Sequence, residues 1–81
     1  MITITQVTPL SNYCLQLQFN NNEVKIFDVK PYLSNGIFTE LQNTDYFNTV
    51  HLNLDSISWK NGQDFSPDTL YIKSINNVII P

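Results

Sequence analysis

Arginine is missing from the chain, and four lysines stand against seven carboxylates, for a formal net charge of −3. Nucleic-acid binders neutralise phosphates with clustered Lys and Arg, and Arg is the usual reader of guanine edges. Lys25, Lys30, Lys60 and Lys73 are scattered instead, so direct binding of DNA or RNA is not expected. Cysteine is nearly missing too. Cys14 stands alone and cannot close an internal disulfide; secreted domains of this size usually carry several bridges, so a reducing cytoplasmic setting is expected. One Cys and one His fall short of any zinc pattern. Asp64 and Asp68 sit four apart with Asp55 upstream, which is not the spacing of a calcium loop. Gly36 and Gly62 are the only glycines, too few for a phosphate-cradling loop. Neither a metal nor a cofactor is therefore expected. No apolar run approaches the roughly 20 residues of a membrane span, and the apolar tail 78–81 is far too short. The opening Met1-Ile2-Thr3-Ile4-Thr5 has neither the basic nor the long apolar region of a signal peptide.

What is present suits one small core. The chain has 81 residues, of which 42% are hydrophobic and 12% aromatic, too apolar for a disordered segment. A single domain over 1–81 is expected, and burying only roughly 60–65% of the unfolded surface leaves it marginal enough for dimerisation to help.

Alternation with period two marks the strands. Ile2 and Ile4 alternate with Thr3 and Thr5, predicting a half-buried strand that ends at Thr8-Pro9. After the turn Pro9-Leu10-Ser11-Asn12, Tyr13, Leu15, Leu17 and Phe19 share one face and Cys14, Gln16, Gln18 and Asn20 the other. With Asn21-Asn22 as a two-residue turn, Phe19 pairs with Val24 and Leu17 with Ile26, while Gln18 meets Lys25 on the wet side. Asp28 then falls opposite Leu15, on the buried side at the strand's end. Val50, Leu52 and Leu54 predict another half-buried strand. A turn at Asp55-Ser56 would set Leu54 against Ile57, Leu52 against Trp59 and His51 against Lys60.

Helices are short in this reading. Pro31 opens a helical turn that Asn35-Gly36 ends. Ile37, Phe38 and Leu41 fall at helical spacing, with Glu40 outward, and Tyr46 and Phe47 supply apolar anchors. Gly62 offers a left-handed loop position. Ser66-Pro67-Asp68 reads as N-cap, first helical proline and first-turn acid, for a helix carrying Leu70 and Tyr71 and ending near Ser74. The fold class is α+β: a small, mostly antiparallel sheet of two hairpins plus an N-terminal strand, with two or three short helices.

Catalytic sets are thin. Cys14 and His51 both fall on polar strand faces, but nothing in the sequence places a nucleophile, His51 and a carboxylate together. The distinctive stretch is Trp59 to Tyr71, which joins a large aromatic, a flexible glycine, carboxylates and a helix start. Trp and Tyr anchor many binding hot spots. The same residues are also accounted for if Trp59, Phe65, Leu70 and Tyr71 only close the core while Asp64 braces the loop.

Tyr13-x-Leu15-x-Leu17-x-Phe19, Phe27-Asp28-Val29 with Pro31 and Leu33, Gly36-x-Phe38-x-x-Leu41, Phe47-x-x-Val50 and Trp59-x-x-Gly62-x-Asp64-x-x-Pro67-Asp68-x-Leu70-Tyr71 follow one another in order. This series resembles the bacterial domain-of-unknown-function family 2442. The resemblance implies a small α+β protein without an established activity, often encoded beside another small protein as in toxin–antitoxin pairs. Some longer relatives add a helix-turn-helix domain, which is not expected here.

The expectation is a non-enzymatic interaction module, an accessory or antitoxin-like partner of another small protein or of itself. Its expected contact surface is Trp59, Asp64, Asp68 and Tyr71, with Asp28 nearby. The alternatives are a homodimeric scaffold, and a small hydrolase using His51 with Asp64 or Asp68.

Overall fold

Strand alternation and proline placement set the order of elements. The computed structural model describes residues 1–76, so the apolar tail 78–81 lies outside the described residues. The elements run β1 (Ile4–Pro9), β2 (Cys14–Phe19), β3 (Val24–Asp28), a 3₁₀ turn (Lys30–Tyr32), a 3₁₀ segment (Gly36–Gln42) and α1 (Thr44–Phe47). After these come β4 (His51–Asn53), β5 (Ser56–Ser58), β6 (Asp64–Phe65), α2 (Pro67–Lys73) and β7 (Ile75–Asn76). They build a four-stranded sheet in the order β1-β2-β3-β7 and a three-stranded sheet in the order β4-β5-β6. All pairs are antiparallel. The small α+β architecture is as the sequence pattern predicts.

β2 carries the clearest pattern and keeps it. Leu15, Leu17 and Phe19 are buried while Cys14, Gln16 and Gln18 are half-buried on the open face. The register of the first hairpin differs from expectation by one residue. Phe19 N–H donates to Glu23 O, and Asn22 N–H donates to Phe19 O, each at 2.9 Å. Asn22 sits at φ 70°. The turn thus holds three residues, with Asn22 taking the left-handed position that such loops place last. Gln18 therefore faces Val24, Leu17 faces Lys25, Leu15 faces Phe27 and Cys14 faces Asp28. A slip of one exchanges the two faces of a strand. Phe27 becomes core, Val24 and Ile26 move to the open face, and Asp28 is exposed rather than on the buried side.

Lys25 consequently lies on the inner face of the sheet. Its Nζ lies over the Tyr71 ring, 3.9 Å from the centroid, and donates to Tyr71 O at 3.0 Å. The ammonium thus has both the ring face and a backbone carbonyl as partners.

The second hairpin is shorter than expected. His51 faces Ser58, Leu52 faces Ile57 and Asn53 faces Ser56, so the turn is Leu54-Asp55 rather than Asp55-Ser56. β4 is exposed along its length, not half-buried. Trp59 leaves the ladder because its ring is drawn into the core, where only 2% remains exposed. Ile37, expected inward, is 59% exposed, whereas Leu41 of the same segment is fully buried. The tighter 3₁₀ winding changes which side chains share a face.

The core gathers both sheets and the helical segments: Ile4, Leu15, Leu17, Phe19, Phe27, Val29, Leu41, Phe47, Ile57, Trp59, Phe65 and Leu70. Phe65 lies at the aromatic centre, with ring centroids 4.9 Å from Phe27, 5.0 Å from Tyr32 and 5.2 Å from Phe38.

Candidate interaction surface

The stretch from Trp59 to Tyr71 begins inside the protein. Trp59 Nε1 donates to Phe47 O at 2.9 Å, so the ring's one polar atom is satisfied within the core. Trp59 N–H also donates to Gln63 O at 2.9 Å, closing a turn in which Gly62 sits at φ 102°. Of the five expected surface residues, Trp59 is thus a core residue and offers no area to a partner.

The turn displays a polar clamp that residue-type patterns do not reveal. Gln63 is 1% exposed. Its Nε2 donates to Ile37 O at 2.8 Å and to Glu40 Oε1 at 3.0 Å, and its Oε1 accepts from Tyr46 Oη at 2.6 Å. Asn61 Nδ2 donates to Glu40 Oε2 at 2.8 Å, and Asn61 N–H donates to Tyr46 Oη at 2.9 Å. These bonds tie the loop to the Gly36–Gln42 segment and to α1. Asn61 and Gln63, as donors, hold the Glu40 carboxyl below its usual range.

Asp64 and Asp68 are exposed, in β6 and the first turn of α2 respectively. Tyr71 is half-buried: its ring meets Phe19 edge-on at 5.1 Å. Its hydroxyl lies against Glu23, which lowers the carboxyl's pKa and raises the phenol's. Asp28 stands at the other end of β3 from Val24 and that tyrosine. Its Oδ1 accepts from Lys30 N–H at 2.9 Å and pairs with Lys30 Nζ at 3.0 Å. Burial works against its ionisation, but the Lys30 amide and ammonium outweigh this and lower its pKa. The five residues do not form one patch. Asp64 and Asp68 flank the start of α2, Tyr71 belongs with Lys25 and Glu23, and Asp28 belongs with Lys30.

His51 meets Ser58 across the β4–β5 pair, with Nε2 3.3 Å from Ser58 Oγ and Nδ1 3.4 Å from Thr49 O. Asp64 is the next residue in that cross-strand row. No hydrogen bond or ion pair joins His51 to Asp64 or Asp68 among the described residues. Cys14 lies on the other sheet, with Sγ 3.8 Å from Lys30 Nζ.

Among the described residues, two of the surface clefts stand out. One, of about 450 Å³, lies between the Pro9–Tyr13 turn and α1, and no charged side chain lines it. The other, of about 390 Å³, lies between the β4–β5 turn and the β6–α2 junction, where Asp55 and Asp64 line it beside Leu54 and Phe65. Sequence reasoning missed this second cleft because the expected turn was one residue too late. Among the described residues, no group of three or more His, Cys, Asp or Glu is arranged to hold a metal ion, and no helix is long and apolar enough to cross a membrane.

The model of the family described as "Protein of unknown function (DUF2442)" matches residues 4–76. No curated protein and no solved structure matches the chain.

Proposed function

The chain belongs to the DUF2442 family, and from that premise we propose that it is a non-enzymatic protein-interaction module, the accessory or antitoxin-like partner of another small protein. The observation that carries this reading is where its apolar surface lies. Leu54, Ile72 and Ile75 are 95%, 74% and 69% exposed, although the core is filled by aromatic and aliphatic side chains. They are not all isolated. Ile75 faces Ile26 across the β3–β7 pair, and Leu54 follows Leu52, itself 44% exposed. Exposed apolar groups gathered in this way mark contact surfaces.

The test is co-precipitation from source cells with tagged wild type and with Leu54→Asp and Ile75→Asp variants of unchanged circular dichroism. At least one variant loses a protein that the wild type retains. Identical sets for all three would contradict the reading.

A homodimeric scaffold is the second reading, favoured by the open outer face of the four-stranded sheet, where Val24, Ile26 and Ile75 lie. Light scattering separates the two, since a dimer that Ile26→Asp dissociates supports the scaffold. The rival hydrolase would rest on His51. In acyl transfer the imidazole stands between nucleophile and carboxylate, whereas here Ser58 stands between His51 and Asp64 along the row. We therefore expect wild type and Ser58→Ala to hydrolyse a chromogenic ester at the same background rate, and a rate lost only in the variant would restore the enzyme.

A further inference from the structure

Leu54 is the least expected side chain in the molecule. It occupies the first loop position of a two-residue hairpin turn with φ 54°, a place that such turns give to Gly, Asn or Asp. A branched, apolar residue is strained there, and at 95% exposure it gains no packing in return. Nor is the tip loose, because Ile4 N–H donates to Asp55 O at 2.9 Å and fixes the turn against β1.

Next to this leucine lies the cleft of about 390 Å³ lined by Asp55, Asp64, Phe65 and Pro67. Neither Asp55 nor Asp64 makes an ion pair among the described residues, where the one ion pair joins Lys30 to Asp28. Asp68 adds a further exposed carboxylate just beyond Pro67. The tip therefore presents a fixed apolar knob beside a cleft edged with unneutralised negative charge.

We propose that the Leu54 tip and this cleft form a docking site for a basic protein segment. Its lysine or arginine enters the cleft toward Asp55 and Asp64, and an adjoining apolar pocket receives Leu54. This rests on the interaction-module reading and names the partner's chemistry. Charge complementarity selects the occupant. A second copy of this chain, with its net charge of −3 and no arginine, is a poor match, and nucleic acid would be repelled.

The experiment is selection of a random peptide display library on the immobilised full chain, followed by binding of the enriched peptides to three variants. Enriched peptides should carry Lys or Arg beside an apolar residue. They should bind about tenfold more weakly to Leu54→Gly and to the Asp55→Asn/Asp64→Asn double variant, as expected for a central contact. Leu54→Gly should at the same time raise the thermal midpoint, since glycine relieves the strained φ, so lost binding cannot be ascribed to lost folding. Enriched peptides without basic residues, or peptides indifferent to both changes, overturn the proposal. If those peptides instead lose binding to Ile75→Asp, the docking site is wrong while the interaction module stands. A library that yields no binding peptide overturns both.

Discussion

Gln63 decides how the helical half of the molecule is held to the strands. It is buried with every side-chain hydrogen-bonding role engaged, between Ile37, Glu40 and Tyr46. Replacing it with leucine keeps the volume but leaves the Ile37 carbonyl and the Tyr46 hydroxyl without their partner. Gln63→Leu should therefore cost about 1–3 kcal/mol in urea unfolding, the usual range for stranded buried polar groups. Glu40 gives the same network a pH dependence. Its folded pKa lies below the ordinary value of 4.5, so the folded state takes up the proton less readily than the unfolded chain. The stabilisation is fully present above about that value and is lost as pH falls through the lowered folded pKa. Glu23 and Asp28 act in the same direction. The urea midpoint should fall on acidification, and Glu40→Gln should make that fall shallower. A variant with the same acid slope as wild type would remove Glu40 from the account. Nothing in the sequence marks Gln63, because a glutamine in a polar loop normally faces water and only the turn geometry around Gly62 brings it inside.

Elements whose signals are local were legible, and those set by turn geometry were not. The start of α2 is a sequence signature: Ser66 Oγ accepts from Thr69 N–H at 3.1 Å, Pro67 opens the helix and Asp68 lies in its first turn. Ser66→Ala should destabilise the protein by about 0.5–2 kcal/mol, measured by thermal or urea unfolding, and Ser66→Asp should restore most of the loss. β2 was equally clear because its apolar residues alternate without interruption. The partners of β2 and β4 differ from expectation because of their turns: the first holds three residues rather than two, and the second, still of two residues, begins one residue earlier. Asn20, Asn21 and Asn22 all tolerate a left-handed φ, so composition does not say whether two or three of them form the loop. Leu54 is a residue that no turn preference would choose. One added loop residue puts Asp28 on the outer face, and a turn that begins one residue earlier puts His51 opposite Ser58. Short strands such as β6 and β7 have too few residues to show any period.

At the scale of the whole molecule, the features that carry the family resemblance are largely those that build the core. Leu15, Leu17, Phe19, Phe27, Val29, Leu41, Phe47, Trp59 and Leu70 are all buried, while Gly62 and Pro67 shape the connections. The aromatic stretch that looked most like a binding surface in the sequence closes the fold, and exposed apolar side chains lie instead at the β4–β5 tip and on the open sheet face. Residue type alone could not separate these roles, since a tryptophan suits a core and a hot spot equally.

Trp59 is the only tryptophan in the chain, so its fluorescence in the folded protein tests that division directly. The account predicts blue-shifted emission that iodide does not quench, shifting to the red and becoming quenchable only as urea unfolds the chain. Red, iodide-quenched emission from the native protein would place the indole at the surface and contradict it.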